Sequence, residues 1–149
     1  EVDWVGQDNQ VELARRAGAR HVVLVSSMGT TQPDSPLDLL GGGHALFYKL
    51  QGELSLLASS SALNYTIIKP AGLIDEPAGQ RQLIVGRNDQ LASHRALMTV
   101  PRADVAALVV AALDAPGASG QLRFDLASDP SGPPTDDLHA LFYAARRLW

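Results

Sequence analysis

Two serines stand directly after one of the most apolar short runs of the sequence. In the stretch HVVLVSSMG, the run His21–Val25 is followed by Ser26, Ser27, Met28 and Gly29. Serine hydroxyls at this place either satisfy backbone groups where a strand stops or face a ligand at the end of the strand. These residues by themselves leave both interpretations open.

The sequence gives no indication of cysteine chemistry, a metal site, a hydrolase elbow or a nucleic-acid surface. The chain has no cysteine, which excludes disulfides, thiolate catalysis and cysteine-based metal sites. The four histidines (His21, His44, His94 and His139) show neither the HxH nor the HxxxH spacing of a metal site. Ser27 lacks the Gly-x-Ser-x-Gly elbow of a hydrolase. The net charge of -4 offers no basic surface for nucleic acid or an anionic membrane.

Length and composition indicate one globular domain. The chain has 149 residues, of which 46% are hydrophobic and 19% charged, so we expect a single soluble domain over residues 1–149. No apolar run approaches the ~20 residues that a membrane-spanning helix needs, and no signal-peptide pattern opens the chain. We expect a cytoplasmic protein, or a plastid protein if a targeting segment precedes Glu1.

The spacing of apolar residues predicts the elements that position the serines. Helices are predicted over residues 8–17, 44–59, 101–112 and 135–148. Strands are predicted over 21–27, 64–69, 82–85 and 121–126, with a small hairpin around 82–91, an extended piece at 96–100 and a long loop at 30–43. Strand 21–27 is short, continuous and β-branched, so we expect it to be buried on both faces.

Strands that alternate with helices predict a layered α/β sheet with right-handed crossovers. Ligands of such sheets bind at the carboxyl ends of the strands. The residues after strand 21–27 and those after strand 64–69, which are Pro70, Ala71, Gly72 and Leu73, are therefore expected to meet at one edge.

Five stretches in this order also resemble a known family. They are VDWVGQDN, HVVLVSSMG, YKLQGE, NYTIIKPAGL and VPRADVA, and together they resemble the atypical short-chain dehydrogenases/reductases over nearly the whole chain. The most similar branch is the NmrA-like, biliverdin-reductase-B-like NAD(P)-binding proteins, including small plant members. The resemblance implies a Rossmann-like, doubly wound parallel sheet that binds NADP or NAD, and a reductase acting on a small carbonyl or flavin-like substrate.

The first part of the family pattern has no counterpart in this sequence. A Rossmann domain opens with a strand, a Gly-x-x-Gly-x-x-Gly-type turn and a helix that holds the pyrophosphate. The three glycines at 41–43 do not qualify, because no strand leads directly into them. We therefore expect the chain to correspond to the C-terminal two-thirds of an N-terminally truncated family domain, and the start at Glu1 instead of Met agrees with this.

The resemblance also assigns site residues. Ser27 matches the serine near the nicotinamide and the substrate carbonyl, where a hydroxyl can donate to a developing oxyanion. Lys49 matches the lysine that hydrogen-bonds the nicotinamide ribose, so Ser27 and Lys49 are the catalytic candidates. Pro70 to Leu73 match the segment against the carboxamide, where Gly72 permits close backbone approach. The candidate cofactor-binding residues are Ser26, Ser27, Met28, Lys49, Pro70, Ala71, Gly72 and Leu73.

Each assignment has a structural alternative. Lys49 is otherwise a solvated helix lysine, and residues 70–73 a turn that ends a strand. Arg102 and Asp104 are expected to begin a helix that ties the last strands together. The region 74–98 is expected to line the substrate side.

One position departs from the family pattern. The usual active site contains Tyr-x-x-x-Lys, with both side chains on one helix face, but Ala45 stands four residues before Lys49. Tyr48 lies about 100° around the helix and is a poor substitute. Three interpretations follow: a reductase whose substrate is protonated by solvent, a non-catalytic dinucleotide-binding or redox-sensing protein, or an inactive truncated product. The partners would be a dinucleotide and a small substrate, with no nucleic acid or membrane, and self-association is left open.

Overall fold

The structure is a computed structural model and describes residues 2–32, 35, 38–39, 43–94 and 99–148. The predicted helices and strands occur in the predicted order, but the structure also contains a short strand at Gly72–Ile74 and a short helix at Pro116–Ser119 that the sequence does not predict. The helices are α1 (Gln7–Arg16), α2 (Ala45–Ala58), α3 (Arg102–Asp114), α4 (Pro116–Ser119) and α5 (Leu138–Arg146). The strands are β1 (His21–Val25), β2 (Asn64–Pro70), β3 (Gly72–Ile74), β4 (Gln82–Gly86), β5 (Thr99–Pro101) and β6 (Leu122–Asp129). A π-helical turn at Val2–Gly6 leads into α1, and a 3₁₀ turn spans Gln90–Ser93.

Four strands form the main sheet, in the order β1-β2-β6-β4. β1, β2 and β6 run parallel, and their register aligns Val25 with Ile68 and Ile68 with Phe124. The short strands β3 and β5 form a separate parallel pair. The parallel strands therefore end at a common edge, as the alternation of elements predicts.

Helices cover both faces of the sheet. Successive residues of β2 point to opposite sides, so Ile67 packs in the cluster with Val11 of α1 and Leu56 of α2. Ile68 packs in the cluster that contains Leu108 of α3 and Phe142 of α5. A sheet with a separate apolar core on each face is the layered arrangement expected from the sequence.

The prediction that strand 21–27 is buried on both faces is wrong in this structure. The first four residues of β1 are half-buried and Val25 is 40% exposed. The reason is position, because among the described residues β1 is the edge strand of the main sheet and pairs only with β2. An apolar run records a preference for burial but does not record how many neighbours the strand obtains.

The predicted hairpin around residues 82–91 is also wrong. β4 pairs antiparallel with β6, with Leu83 opposite Ser128 and Val85 opposite Leu126. Leu91 lies in the 3₁₀ turn and packs with Ala92 against a small cluster formed by Met28, Ala71 and Ala127. The alternation in residues 82–85 predicted the strand. A local pattern cannot predict that its partner is β6, which is distant in the sequence.

Other boundaries differ by a few residues. The last helix begins at Leu138, because the Asp137 side chain accepts hydrogen bonds from the backbone N–H groups of His139 and Ala140 and caps the helix there. The loop predicted at 30–43 and the extended piece at 96–100 fall partly outside the described residues. No helix in the described ranges has the length and apolar character needed to cross a membrane.

Candidate functional site

All eight predicted cofactor-binding residues line one cavity. Its volume is about 720 Å³, and it lies where β1 and β2 end, beside the first turns of α2. Its lining includes Ser26, Ser27, Met28, Lys49, Pro70, Ala71, Gly72 and Leu73. The structure therefore brings together the residues that the sequence analysis singled out from three separate stretches.

Backbone hydrogen bonds beyond the ends of the strands create this juxtaposition. The Ser26 N–H donates to the Ile68 carbonyl at 2.8 Å, and the Met28 N–H donates to the Pro70 carbonyl at 3.0 Å. The Ala71 N–H donates to the Leu126 carbonyl at 2.8 Å. The parallel ladder thus continues past β1 and β2 in irregular form and places the two predicted segments side by side.

The two serines have different surroundings. Ser26 is 7% exposed, and its hydroxyl donates to the Glu53 carboxylate of α2. Ser27 is half-buried, and its hydroxyl donates to the Met28 carbonyl at 2.8 Å. Its hydroxyl bond is a local one between neutral groups, worth about 1 kcal/mol net, so Ser27 can exchange it for a ligand at small cost.

Lys49 reaches the cavity from α2. Its Nζ lies 3.1 Å from Asp3 Oδ1, and the two side chains are 31% and 48% exposed. A partly exposed ion pair of this kind contributes little to stability, so the ammonium group can turn to a ligand hydroxyl. Ala45, one helical turn earlier, also lines the cavity, and the family tyrosine position therefore presents only a methyl group.

Tyr48 does not replace that tyrosine. Its ring stacks on Trp4 with the ring centroids 6.3 Å apart, and Tyr48 is not among the lining residues. The expectation from helical geometry, that adjacency to Lys49 points the ring elsewhere, agrees with this placement.

Arg102 lines the cavity although the sequence analysis placed it only at a helix start. It is the first residue of α3 and directly follows β5, whose parallel pairing with β3 puts Val100 opposite Leu73. Its Nη1 donates to Asp75 at 2.8 Å, at an exposed position.

Asp104 fits the predicted structural role at the helix start, since its carboxylate accepts the Gly79 N–H at 2.7 Å. Of the described residues between 74 and 94, Ala92 lines the cavity.

Sequence reasoning missed a buried charge cluster beneath the cavity. Lys69, Asp89 and Asp125 have fully buried side chains, and the Lys69 Nζ lies 2.6 Å from Asp89 Oδ1 and 3.2 Å from Asp125 Oδ1. Lysine and aspartate are expected at the protein surface, so the sequence pattern does not predict that these three side chains are buried. The one local hint is that Lys69 follows Ile67 and Ile68 in β2.

The two carboxylates of this cluster differ in proton affinity. Burial works to raise the pKa of Asp89, but hydrogen bonds from Lys69, Thr31 and the Gly29 N–H outweigh it and hold the pKa below the ordinary value. Burial raises the pKa of Asp125 above its ordinary value, opposed by Lys69 and reinforced by the negative charge of Asp89. One ammonium shared by two carboxylates thus favours ionised Asp89 over ionised Asp125.

The cavity combines an apolar wall with a few polar groups. Met28 and Ala71 are 5% and 8% exposed and give it an apolar wall, while Ser27 and Lys49 supply polar groups at its side. Few polar groups on a mostly apolar lining are typical of cofactor pockets. Within the described ranges no strand leads through a glycine-rich turn into a helix, so these residues do not supply a pyrophosphate site of the Rossmann kind.

Comparison with known proteins shows the family to which the chain belongs. A sequence model described as NAD(P)H-binding matches residues 4–116. The chain belongs to the NAD(P)H-binding family. The match covers α1 to α3 together with both segments that line the cavity, and it confirms the family and the cofactor class expected from the sequence.

Relatives of this NAD(P)H-binding chain include two plant proteins. It is 42% identical over 144 residues to an uncharacterized chloroplastic protein of Arabidopsis thaliana. It is 40% identical over 144 residues to sanguinarine reductase of Eschscholzia californica. These alignments cover 95% of this chain but 43% and 51% of the two relatives. The chain therefore spans about half the length of the curated relatives it matches.

Solved structures confirm the Rossmann-like α/β fold. The oxidoreductase ylbE of Lactococcus lactis superposes with a TM-score of 0.72 at 18% identity, covering 98% of this chain and 61% of that one. A short-chain dehydrogenase/reductase of Veillonella parvula in complex with NADP has a TM-score of 0.59 at 19% identity, covering 88% and 60%. At such identities the likeness establishes the fold alone.

Proposed function

We propose that this chain carries the nicotinamide side of an NAD(P)H-dependent reductase of a small substrate. The observation that carries the proposal is the shared cavity, in which residues from the ends of β1 and β2 meet Lys49 of α2. The family match and the 40% identity to sanguinarine reductase support it.

Each residue of the cavity has a separate role in this proposal. Lys49 hydrogen-bonds the ribose hydroxyls, and Gly72 lets the backbone approach the carboxamide. Ser27 turns its hydroxyl to the acceptor atom of the substrate, where negative charge develops. Bound NADPH or NADH supplies the hydride. Because Ala45 offers no acidic proton, the proton that completes the reduction comes from water at the open rim, where Gly72 and Leu73 are exposed.

A second candidate is a dinucleotide-binding protein that senses redox state without turnover. Two observations favour it: Ala45 stands at the place of the family tyrosine, and the Ser27 hydroxyl donates to the Met28 carbonyl. Both functions require the same cavity, so they differ in turnover and not in binding.

The compartment stays a prediction. The chloroplast location in the name of the Arabidopsis relative favours the plastid over the cytoplasm, and imaging a fluorescent fusion of the full gene product would decide between them.

Calorimetry with NADPH and NADH tests the binding that both functions need. We expect the full-length gene product to bind one of them, with thermal stabilisation at millimolar cofactor, and we expect Lys49→Met to weaken binding about tenfold, which is about 1.4 kcal/mol. Arg20→Met is the matched control, because it removes one positive charge at an exposed position just before β1, at the opposite end of that strand. Absence of both heat and stabilisation at millimolar cofactor would contradict both functions.

Turnover separates the two candidates. Sanguinarine and a free flavin serve as acceptors, and the loss of NADPH absorbance is followed with each. Oxidation that depends on an acceptor and is slowed by Ser27→Ala supports the reductase. Tight binding with no oxidation by either acceptor supports the sensing function.

A further inference from the structure

The backbone of residues 26–31 lies between two cavities. Its first four residues line the candidate cofactor cavity, and Thr31 lines a second cavity of about 460 Å³ together with Arg123. Its first part is fixed by β2 and by packing, because the Ser26 and Met28 N–H groups donate to β2 and Met28 is buried against Ala71 and Ala127, whereas Thr31 is exposed. Two buried carboxylates, Asp89 and Glu53, supply further hydrogen bonds to the segment.

Asp89 holds the second half of the segment. It follows β4 and is 2% exposed. Its Oδ1 accepts from the Gly29 N–H at 2.8 Å and from Lys69 Nζ at 2.6 Å. Its Oδ2 accepts from the Thr31 N–H at 2.8 Å and from the Thr31 hydroxyl. Both oxygens accept, which a carboxylate can do and a side-chain amide, with one acceptor oxygen, cannot.

Glu53 contacts the segment near both of its ends. It is fully buried on α2, and its Oε1 accepts from the Ser26 hydroxyl and, at 3.0 Å, from the Thr30 hydroxyl. Its Oε2 accepts from Arg123 Nε at 2.6 Å. Glu53 stands one helical turn after Lys49, so both side chains project from the same face of α2.

Each carboxylate is paired with a cation from a central strand. Lys69 belongs to β2 and Arg123 to β6, so the positive charges stand on the two inner strands of the main sheet. Buried ion pairs of this kind add little net stability, because desolvation of the charges offsets their attraction. Their directional hydrogen bonds, however, fix the groups that they contact.

We propose that Asp89 and Glu53 are positioning residues for the cofactor site. They set the distance between Ser27 on the 26–31 segment and Lys49 on α2, and this role rests on the proposed function of those two residues. Asp89 determines the backbone path around Gly29, and Glu53 couples Ser26 to the helix that carries Lys49. Neither carboxylate needs to touch the cofactor.

Asp89→Asn is the sharpest test of this role. Asn has the same shape and tolerates the left-handed backbone of this position, where φ is 62°, yet its NH₂ group cannot accept from a backbone N–H. Asp114→Asn is the matched control, since it makes the same change at an exposed position at the end of α3. The readouts are amide hydrogen exchange in the absence of cofactor and the dissociation constant for NADPH.

In the wild type we expect slow exchange at Gly29 and also at Thr31, although Thr31 is an exposed residue, because both amides donate to Asp89. In D89N we expect these two amides to exchange about tenfold faster, with core amides such as Leu108 unchanged. We expect NADPH binding to weaken about tenfold, since small displacements of positioned groups carry large penalties. D114N leaves both quantities at their wild-type values.

The outcomes separate this role from general stability and from the proposed function. Uniformly faster exchange with an unchanged dissociation constant means that Asp89 only stabilises the fold, and unchanged exchange at Gly29 and Thr31 also overturns the proposal. If the wild type binds no NADPH, the proposed function fails, and the positioning of the cofactor site fails with it even where exchange confirms the hydrogen bonds.

A milder variant covers the case in which D89N does not fold. Thr31→Val removes only the hydroxyl that donates to Asp89 and keeps both backbone bonds. We expect it to raise exchange at Thr31 and to weaken NADPH binding about threefold. Wild-type values for both would contradict the role of Asp89.

Discussion

His21 begins β1, and both of its ring nitrogens have partners. The Asn64 Nδ2 lies 2.9 Å from Nδ1, and Nε2 lies 2.8 Å from the Thr66 hydroxyl, which itself donates to the Ser119 carbonyl at 2.8 Å. An amide NH₂ donates, so Nδ1 accepts and Nε2 carries the proton. The network therefore requires the neutral imidazole, and burial lowers the pKa of His21 below its ordinary value of 6.5.

This network makes the free energy of unfolding depend on pH. The unfolded chain binds a proton at His21 near pH 6.5, while the folded protein binds it only at a lower pH. The contribution of neutral His21 is thus present above pH 6.5 and is lost as the pH falls through the lowered pKa.

We expect urea midpoints to decrease on acidification from pH 7.5 to about pH 5.5, and to decrease less in His21→Gln, which cannot titrate. His139→Gln, at an exposed position of α5, keeps the wild-type dependence. Equal pH dependence in the wild type and H21Q would show that the pKa of His21 is the same in the folded and unfolded states.

At the scale of elements, α2 and the start of the chain pack with almost no space between their backbones. A Cβ at Gly52 would lie 2.7 Å from the Asp3 carbonyl and 2.9 Å from Gln7 Cγ. This close approach brings Asp3 to within 3.1 Å of Lys49. Gly52 therefore positions the helix that carries a candidate cofactor ligand.

Gly52→Ala should destabilise the protein in spite of the better helix propensity of alanine. The propensity gain is up to about 1 kcal/mol, while steric overlap with a backbone carbonyl costs about 1–3 kcal/mol, so we expect a net loss in the free energy of unfolding. Gly117→Ala is the matched control in α4, because a Cβ there meets nothing within 4 Å. Thermal or urea unfolding measures both, and a stability of G52A at or above wild type would show that α2 can shift freely.

At the scale of the whole molecule, the sheet separates two apolar cores that depend on the same strands. Leu56 of α2 and Leu108 of α3 are fully buried, in different clusters on opposite faces of the sheet. Ile67 and Ile68, neighbours in β2, belong to one cluster each. Loss of either face exposes the other, so we expect both cores to unfold in one cooperative transition.

Leu56→Ala and Leu108→Ala should each lower the free energy of unfolding by about 2–5 kcal/mol. The double variant should lose the sum to within about 0.5 kcal/mol, because the two side chains share no contact. Leu113→Ala, at a leucine that is 50% exposed, should change stability little. Urea unfolding followed by circular dichroism and by tryptophan fluorescence measures all four variants, and non-coincident transitions would show that the two faces unfold separately.

Local sequence pattern was enough to predict most of the elements, their order and the segments that line the candidate site. Helical and strand periodicities are local properties, so α1, α2, α3 and most strands lie within a few residues of their predicted bounds. The rule that ligands bind at the ends of parallel strands then located Ser26 to Met28 and Pro70 to Leu73. The resemblance carried by five short stretches supplied the family and the cofactor class.

Which residues become partners follows from the fold and not from local pattern. The edge position of β1, the antiparallel pairing of β4 with β6 and the buried contacts of Asp89 and Glu53 join residues far apart in the chain. A periodic pattern records which face of an element is apolar, but not which element will cover it or which charge will meet a charge there. The sequence therefore does not predict that Asp89 and Glu53 contact the 26–31 segment, because only the fold brings them together with Lys69 and Arg123.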